Sequence, residues 1–236
     1  MNDALYRHAA KEYAQHSMQS LFNANYERPA MLALLGSLRG KTVLDAACAG
    51  GAYVAELIDR QAHVVALDHS PEFVDIVKKR FGAAVDVREH DLREPLRWLA
   101  DESVDLVVSS LTMHYLPVWD VPMREFRRVL KLSGRLLLST HHPAMTGHIA
   151  EDYFKTVLVK ETWNINGREH EVSFYHRPLH AILSAIIDAG FVVRRILEPP
   201  IAEPNNAARE EYVARRSQDP NLGLQPWLLI IEATRP

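Results

Sequence analysis

The stretch VLDAACAGGAYVAELIDR, Val43 to Arg60, runs from a short apolar strand through an acidic residue into a loop of small side chains, and then into a segment of helical period. Strand, small-residue turn and helix in that order form the opening unit of a parallel α/β sheet. Small side chains after a buried strand let backbone N–H groups approach a ligand, and the carboxyl ends of strands are where open α/β sheets bind one. Working outward, short runs rich in Val, Ile and Leu alternate with helical segments across residues 41 to 142. This predicts strands at Thr42 to Ala46, His63 to Asp68, Ala84 to Glu89, Asp105 to Ser109 and Arg135 to Thr140.

Two helices are expected before this core, over residues 3 to 16 and 24 to 36, the second starting near Asn23 or Asn25 and ending at Gly36. They form an N-terminal cap. After the fifth strand, Val157 to Thr162 and His170 to Tyr175 read as a hairpin around Asn164 to Gly167, where Asn-Gly is a turn signal. A helix from Pro178 to Ala189, closed by Gly190, and strands at Phe191 to Leu197 and Trp227 to Thr234 complete the pattern. Residues 198 to 226 read as a proline-containing loop or lid. The expected architecture is a doubly wound, mostly parallel seven-stranded α/β sheet, Rossmann-like, in one domain spanning 1–236. Its parts are a helical cap (1–38), a cofactor-binding core (40–142), an inserted β-hairpin flap (143–177) and the C-terminal part of the sheet (178–236).

Composition narrows the function. The 236 residues carry a formal charge of −3 with Lys and Arg scattered along the chain, which disfavours a nucleic-acid partner. A single cysteine, Cys48, leaves no internal disulfide and no Cys-based zinc site, and it reads as a small packed side chain in a cytoplasmic protein. No stretch approaches the roughly 18 apolar residues of a membrane span. A P-loop reading of GSLRGKT fails because Leu35 stands where the first glycine belongs. A dinucleotide G-x-G-x-x-G reading fails because Ala47, Ala49 and Ala52 interrupt it.

Acidic residues close three successive strands: Asp45, Asp68 and Asp91. A carboxylate at Asp68, followed by His69, Ser70 and Pro71, can accept both hydroxyls of a ribose; Asp91 can accept from an adenine amino group, with Leu92 flanking the ring. The segment VLDAACAGG resembles motif I of the class I methyltransferases, with Ala47 and Ala49 in place of its first two glycines. The run from VDLVVSSLTMHYLP to MREFRRVLKLSGRLLLSTHHP closely resembles the fourth-strand to fifth-strand segment of that family. Over residues 40 to 142 the chain is similar to the ubiquinone-biosynthesis-like group of small-molecule methyltransferases. That resemblance implies S-adenosylmethionine as cofactor and transfer of its methyl group to a small-molecule acceptor on O, N, S or C. A protein that binds the cofactor without transferring methyl is the alternative. It also implies a cofactor site at Asp45, Ala47, Ala49, Gly51, Asp68, His69, Asp91, Leu92 and Ser109. The segments YAQHS and ANYERPAML resemble the group's N-terminal region, which brings Tyr13, Tyr26 and Arg28 over the cofactor.

Twelve histidines stand out. His114 and Tyr115 follow the fourth strand, and His141 and His142 close the fifth. One of His114, His141 or His142 is expected to act as general base or to orient the acceptor, with Tyr115 beside them. The strand-end histidines with Asp120 or Glu151 could also be read as a metal site, but no ligand spacing supports that and no metal is expected. Tyr153, Phe154, Trp163, Phe174 and Tyr175 read either as an apolar acceptor wall or as the small core beneath the hairpin.

Overall fold

This computed structural model describes residues 10–147, 150, 152–165, 167–200, 212–214, 217 and 225–236. Seven strands form the central sheet: β1 (Thr42–Ala46), β2 (His63–Asp68), β3 (Val85–Glu89), β4 (Val104–Ser109), β5 (Leu130–His141), β8 (Val192–Leu197) and β9 (Leu228–Thr234). Their spatial order is β3-β2-β1-β4-β5-β9-β8. The first five pair in parallel, and β9 runs antiparallel to both its neighbours. The order reverses between β1 and β4, so a crevice opens at their carboxyl ends. Strands β6 (Val157–Ile165) and β7 (Arg168–His176) form a separate hairpin.

Period-two alternation divides the core between the two faces of the sheet. Leu44, Leu136 and Leu138 pack against Met123 and Phe126 of α5 (Asp120–Val129) and against Ile182 and Ile186 of α7 (Leu179–Asp188), the short α6 (Pro143–Gly147) lying between these two helices in the chain. Val43 and Leu137 point the other way, onto Val54 and Leu57 of α3 (Ala52–Asp59) and Val74 and Val77 of α4 (Pro71–Phe81). Helix α4 begins as its sequence demands: Pro71 occupies the first turn, and the Ser70 hydroxyl accepts from Phe73 N at 3.3 Å. Ser70→Ala is expected to lower stability by about 1 kcal/mol, a fall of roughly 2–4 °C in Tm by calorimetry. An unchanged Tm would show that the cap carries no load.

The cap departs from the expected pair of helices. α1 covers Ala10–Ser17, residues 3–9 lying outside those described, and the second helix is split. Asn23–Glu27 forms a π turn in which Arg28 N–H bonds Asn23 O, before α2 (Arg28–Leu35) continues as an α-helix. Pro29 has no N–H to bond back to Asn25, and the wider turn absorbs the missing bond. The guanidinium of Arg135 closes the far end of α2 by donating to Leu34 O and Leu35 O, at 2.5 and 3.0 Å.

β5 begins five residues before its predicted start, at Leu130, with an irregularity in its pairing to β4. The hairpin is longer than predicted and turns at Gly167, whose φ of 81° is left-handed. Val159, Val172 and Phe174 of the hairpin pack with Ala10 and Phe73, so the flap rests on α1 and α4. Most of the proline-containing segment, including 201–211 and 218–224, lies outside the described residues.

Candidate cofactor cavity and adjoining histidine cluster

The turn after β1 adopts glycine geometry without glycine. Ala47 and Ala49 have φ of 72° and 45°, and Gly51 has 78°. Left-handed backbone costs an alanine about 1 kcal/mol, and such strain persists where the surroundings demand it. At Gly51 a Cβ would lie 2.7 Å from the Phe81 ring, so α4 closes directly on the loop. Ala47 N and Cys48 N both donate to Leu67 O at 2.9 Å, tying the turn to the end of β2.

Asp68, at that end, is 4% exposed. Its Oδ2 accepts from Ala49 N and its Oδ1 from Ser70 N, each at 2.9 Å, while His69 Nδ1 lies 3.4 Å from Oδ1. Each oxygen keeps acceptor capacity for a further donor. Asp68 faces a cavity of about 910 Å³, counting its open mouth, which Tyr13, Arg28, Ala47, Ala49, His69, Leu92 and Tyr115 also line. Cys48 lines it too, its thiol pushed well above its ordinary range by burial and by Asp45 and Asp68, which suits an inert packed side chain.

Glu27, delivered by the π turn, is a second buried acid in the cavity wall. Its Oε2 accepts from Tyr53 Oη at 2.8 Å, and its Oε1 accepts from Ser110 Oγ at 2.8 Å and Ser139 Oγ at 2.5 Å. Burial raises its pKa, and the three hydroxyls pull against that rise. Asp45 is 1% exposed, its Oδ2 has no partner, and burial with the nearby Asp68 and Glu27 charges pushes it up to about 8. Arg28 donates to Ser17 O at 2.9 Å, and its buried Nε has no hydrogen-bond partner.

Several expected site residues stand elsewhere. Tyr26 is packed in the cap, its hydroxyl accepting from Trp227 N. Asp45 and Gly51 support the loop from behind the lining. Ser109 is fully buried and Ser110, one residue on, takes the cavity side, because side chains alternate along β4. Asp91 turns to Arg93, whose guanidinium holds it at 2.5–3.0 Å; burial pushes its pKa up, and these bonds outweigh it and hold it below the usual range. His90 is at the lining in its place, both ring nitrogens engaged, by Trp98 Nε1 and by Glu94 O.

The histidines divide. His142 is occupied: its Nδ1 accepts from Ala144 N at 2.9 Å, so Nε2 donates to Glu198 at 2.7 Å. His114 and His141 stack at 3.7 Å between ring centroids; the Phe174 ring stands perpendicular to His141 with centroids 4.6 Å apart, and Tyr115 lies 4.3 Å from His114 by the same measure. A base here is expected to have an ordinary histidine pKa, and burial works against that. Burial pushes His141 down to about 3 and His114 well below its ordinary range, so both are neutral rings that accept a proton poorly. Among the described residues no group of three His, Cys, Asp or Glu side chains is placed to hold a metal ion.

Residues 44–138, which contain the loop, Asp68 and the whole run from β1 into β5, match the family model described as a methyltransferase domain. Residues 44–138 form a methyltransferase domain, and the fold around it is shared with S-adenosylmethionine-dependent methyltransferases. This methyltransferase is 24% identical over 210 residues to an uncharacterized Haemophilus influenzae protein, covering 77% of this chain and 79% of that one. It is 36% identical over 167 residues to phosphoethanolamine N-methyltransferase 1 of Triticum aestivum, which covers 62% of this chain but only 33% of the wheat protein. The methyltransferase thus spans a third of that relative's length. A Listeria monocytogenes structure described as an S-adenosylmethionine-dependent methyltransferase superposes with a TM-score of 0.71 at 21% identity, over 97% of this chain and 99% of that one. One from Mesorhizobium loti gives 0.66 at 23%, over 88% and 96%.

For the methyltransferase, the residues missed in sequence are Glu27, Tyr53, Ser110 and His90. Glu27 carried no local signal, since its hydroxyl partners Tyr53, Ser110 and Ser139 are 26, 83 and 112 residues away in the chain.

Proposed function

We propose that this methyltransferase transfers a methyl group from S-adenosylmethionine to a small-molecule acceptor in the cytoplasm, with neither nucleic acid nor membrane as partner. The observation that carries the reading is the cavity itself: a strained small-residue loop and a buried carboxylate at the carboxyl ends of β1 and β2, roofed by the cap. Asp68 takes the ribose hydroxyls, Leu92 and His90 flank the adenine, and the loop from Ala47 to Gly51 runs along the methionine portion. Arg28 and Tyr13 close over that portion from the cap. Such an enclosure admits a small acceptor beside Tyr115 more readily than a folded macromolecule. The wheat relative's named acceptor, phosphoethanolamine, is of this size.

The cofactor, when bound, supplies an electrophilic methyl on a sulfonium, and the protein's share is placement and exclusion of water. Neutral His114 and His141 act on this reading as orienting groups for the acceptor rather than as strong bases.

The test is transfer of radiolabelled methyl from S-adenosylmethionine to small alcohols, amines, thiols and carboxylates, run beside tRNA, a protein mixture and lipid vesicles. Labelling confined to a macromolecule overturns the proposal. Glu27→Gln adds a second check, because it keeps shape and removes charge. S-adenosylmethionine carries the sulfonium charge that S-adenosylhomocysteine lacks, so affinity for the former is expected to fall about tenfold and for the latter less. Equal losses by calorimetry would show that Glu27 acts only through the shape of the cap.

A further inference from the structure

Arg177, at the end of the flap, is buried without a counter-ion. It is 7% exposed, and one of its terminal nitrogens donates to Leu116 O at 3.2 Å and Pro117 O at 2.9 Å. Its guanidinium lies 4.7 Å from the centre of the Trp119 ring. Nη1 has no hydrogen-bond partner, and among the described residues no carboxylate pairs with this arginine. A buried charge without a counter-ion is costly, and a structural clasp on two carbonyls does not require one. Burial pulls the Arg177 pKa to about 10, still high enough for a full positive charge at neutral pH.

His114 lies within electrostatic reach of that charge, which helps keep its ring neutral. Its Nδ1 faces Thr140 Oγ1 at 3.4 Å, while Nε2 is buried with no partner, as is Nδ1 of the stacked His141. Three polar nitrogens on Arg177, His114 and His141 therefore have no hydrogen-bond partner, and the cofactor cavity begins at Tyr115 and Leu116, which line it.

We propose that Arg177 and His114, beneath the flap, seat an anionic group of the methyl acceptor, a carboxylate or a phosphate monoester. The inference rests on the small-molecule reading above and names its substrate class. Arg177 Nη1 donates to one oxygen of the anion and His114 Nε2–H to another, with Tyr115 turning aside from His114 to admit it. Charge-assisted bonds of this kind are the strong ones, and the guanidinium geometry suits both anions. An acceptor held there lies next to the cavity that Tyr115 lines.

The experiment uses the full chain with isotope-labelled histidine, with and without saturating S-adenosylhomocysteine, titrated with benzoate, phenyl phosphate and the neutral control benzamide. At least one anion is expected to shift the His114 and His141 resonances saturably while benzamide does not. Arg177→Gln is expected to weaken that binding at least about tenfold, Arg177→Lys to recover part of it, and both to leave S-adenosylhomocysteine affinity unchanged. A merely structural arginine would lower Tm in the Gln variant and leave the anion-over-amide preference intact. No saturable shift with either anion, or equal binding of benzamide, overturns the inference even if Arg177→Gln fails to fold. Failure of wild type to bind S-adenosylhomocysteine is a separate result, and it counts against the cofactor assignment instead.

Discussion

Asp68→Ala is expected to weaken S-adenosylhomocysteine binding about a hundredfold, because hydrogen bonds to a charged group are worth about 1.5–3 kcal/mol each. The wild-type carboxylate does two jobs from one buried position. It accepts from Ala49 N and Ser70 N at 2.9 Å, and its remaining lone pairs face the cavity. Alanine removes the acceptor for the ribose and frees two loop amides at once. Asp68→Asn, which retains one carbonyl oxygen, is expected to lose about tenfold. Calorimetry with the fold verified by circular dichroism checks both, and an alanine variant within about threefold of wild type would remove Asp68 from the cofactor site.

Asp45→Asn is expected to act in the opposite direction on stability. In the folded protein Asp45 keeps its proton up to about pH 8, against 3.8 ordinarily. Between those values the folded state binds more protons than the unfolded one, so stability falls as pH rises. At about 1.4 kcal/mol per pH unit the loss across the window is on the order of 5 kcal/mol. Asparagine mimics the protonated acid and escapes it. The two proteins should therefore melt together near pH 4 and separate progressively, the variant melting on the order of 10 °C higher by pH 8. A gap that does not vary with pH would show that Asp45 does not titrate in this window.

The fold was legible because its signals are local. Each parallel strand is a continuous apolar run, and Ser70-Pro71 and Asn164 to Gly167 mark a helix start and a turn by chemistry confined to a few residues. Asp68 was legible for the same reason: it ends a strand and precedes a helix. The site as a whole was not, because what decides it is distance in space. Ser109 and Ser110 are indistinguishable in sequence until the face of β4 is known. Asp91 had a competitor two residues away in Arg93. The histidines gave a residue type whose ordinary pKa suggested a base, while burial of His114 stacked on His141 disfavours a second proton on either ring at neutral pH. The alanines at 47 and 49 departed from the motif in composition, yet the backbone keeps the left-handed geometry that glycine would adopt freely.

The three hydroxyls gathered on Glu27 have a consequence for traffic through the cavity. Lifting the π turn would strip a buried carboxylate of Tyr53, Ser110 and Ser139 together, and Arg135 holds the end of α2 as well. That end of the cap is a fixed post. At the far side α1 rests on α4 and the flap through apolar contacts at Phe73 and Val159, so moving α1 would uncover the cavity without exposing a buried charge, which lifting the π turn would do.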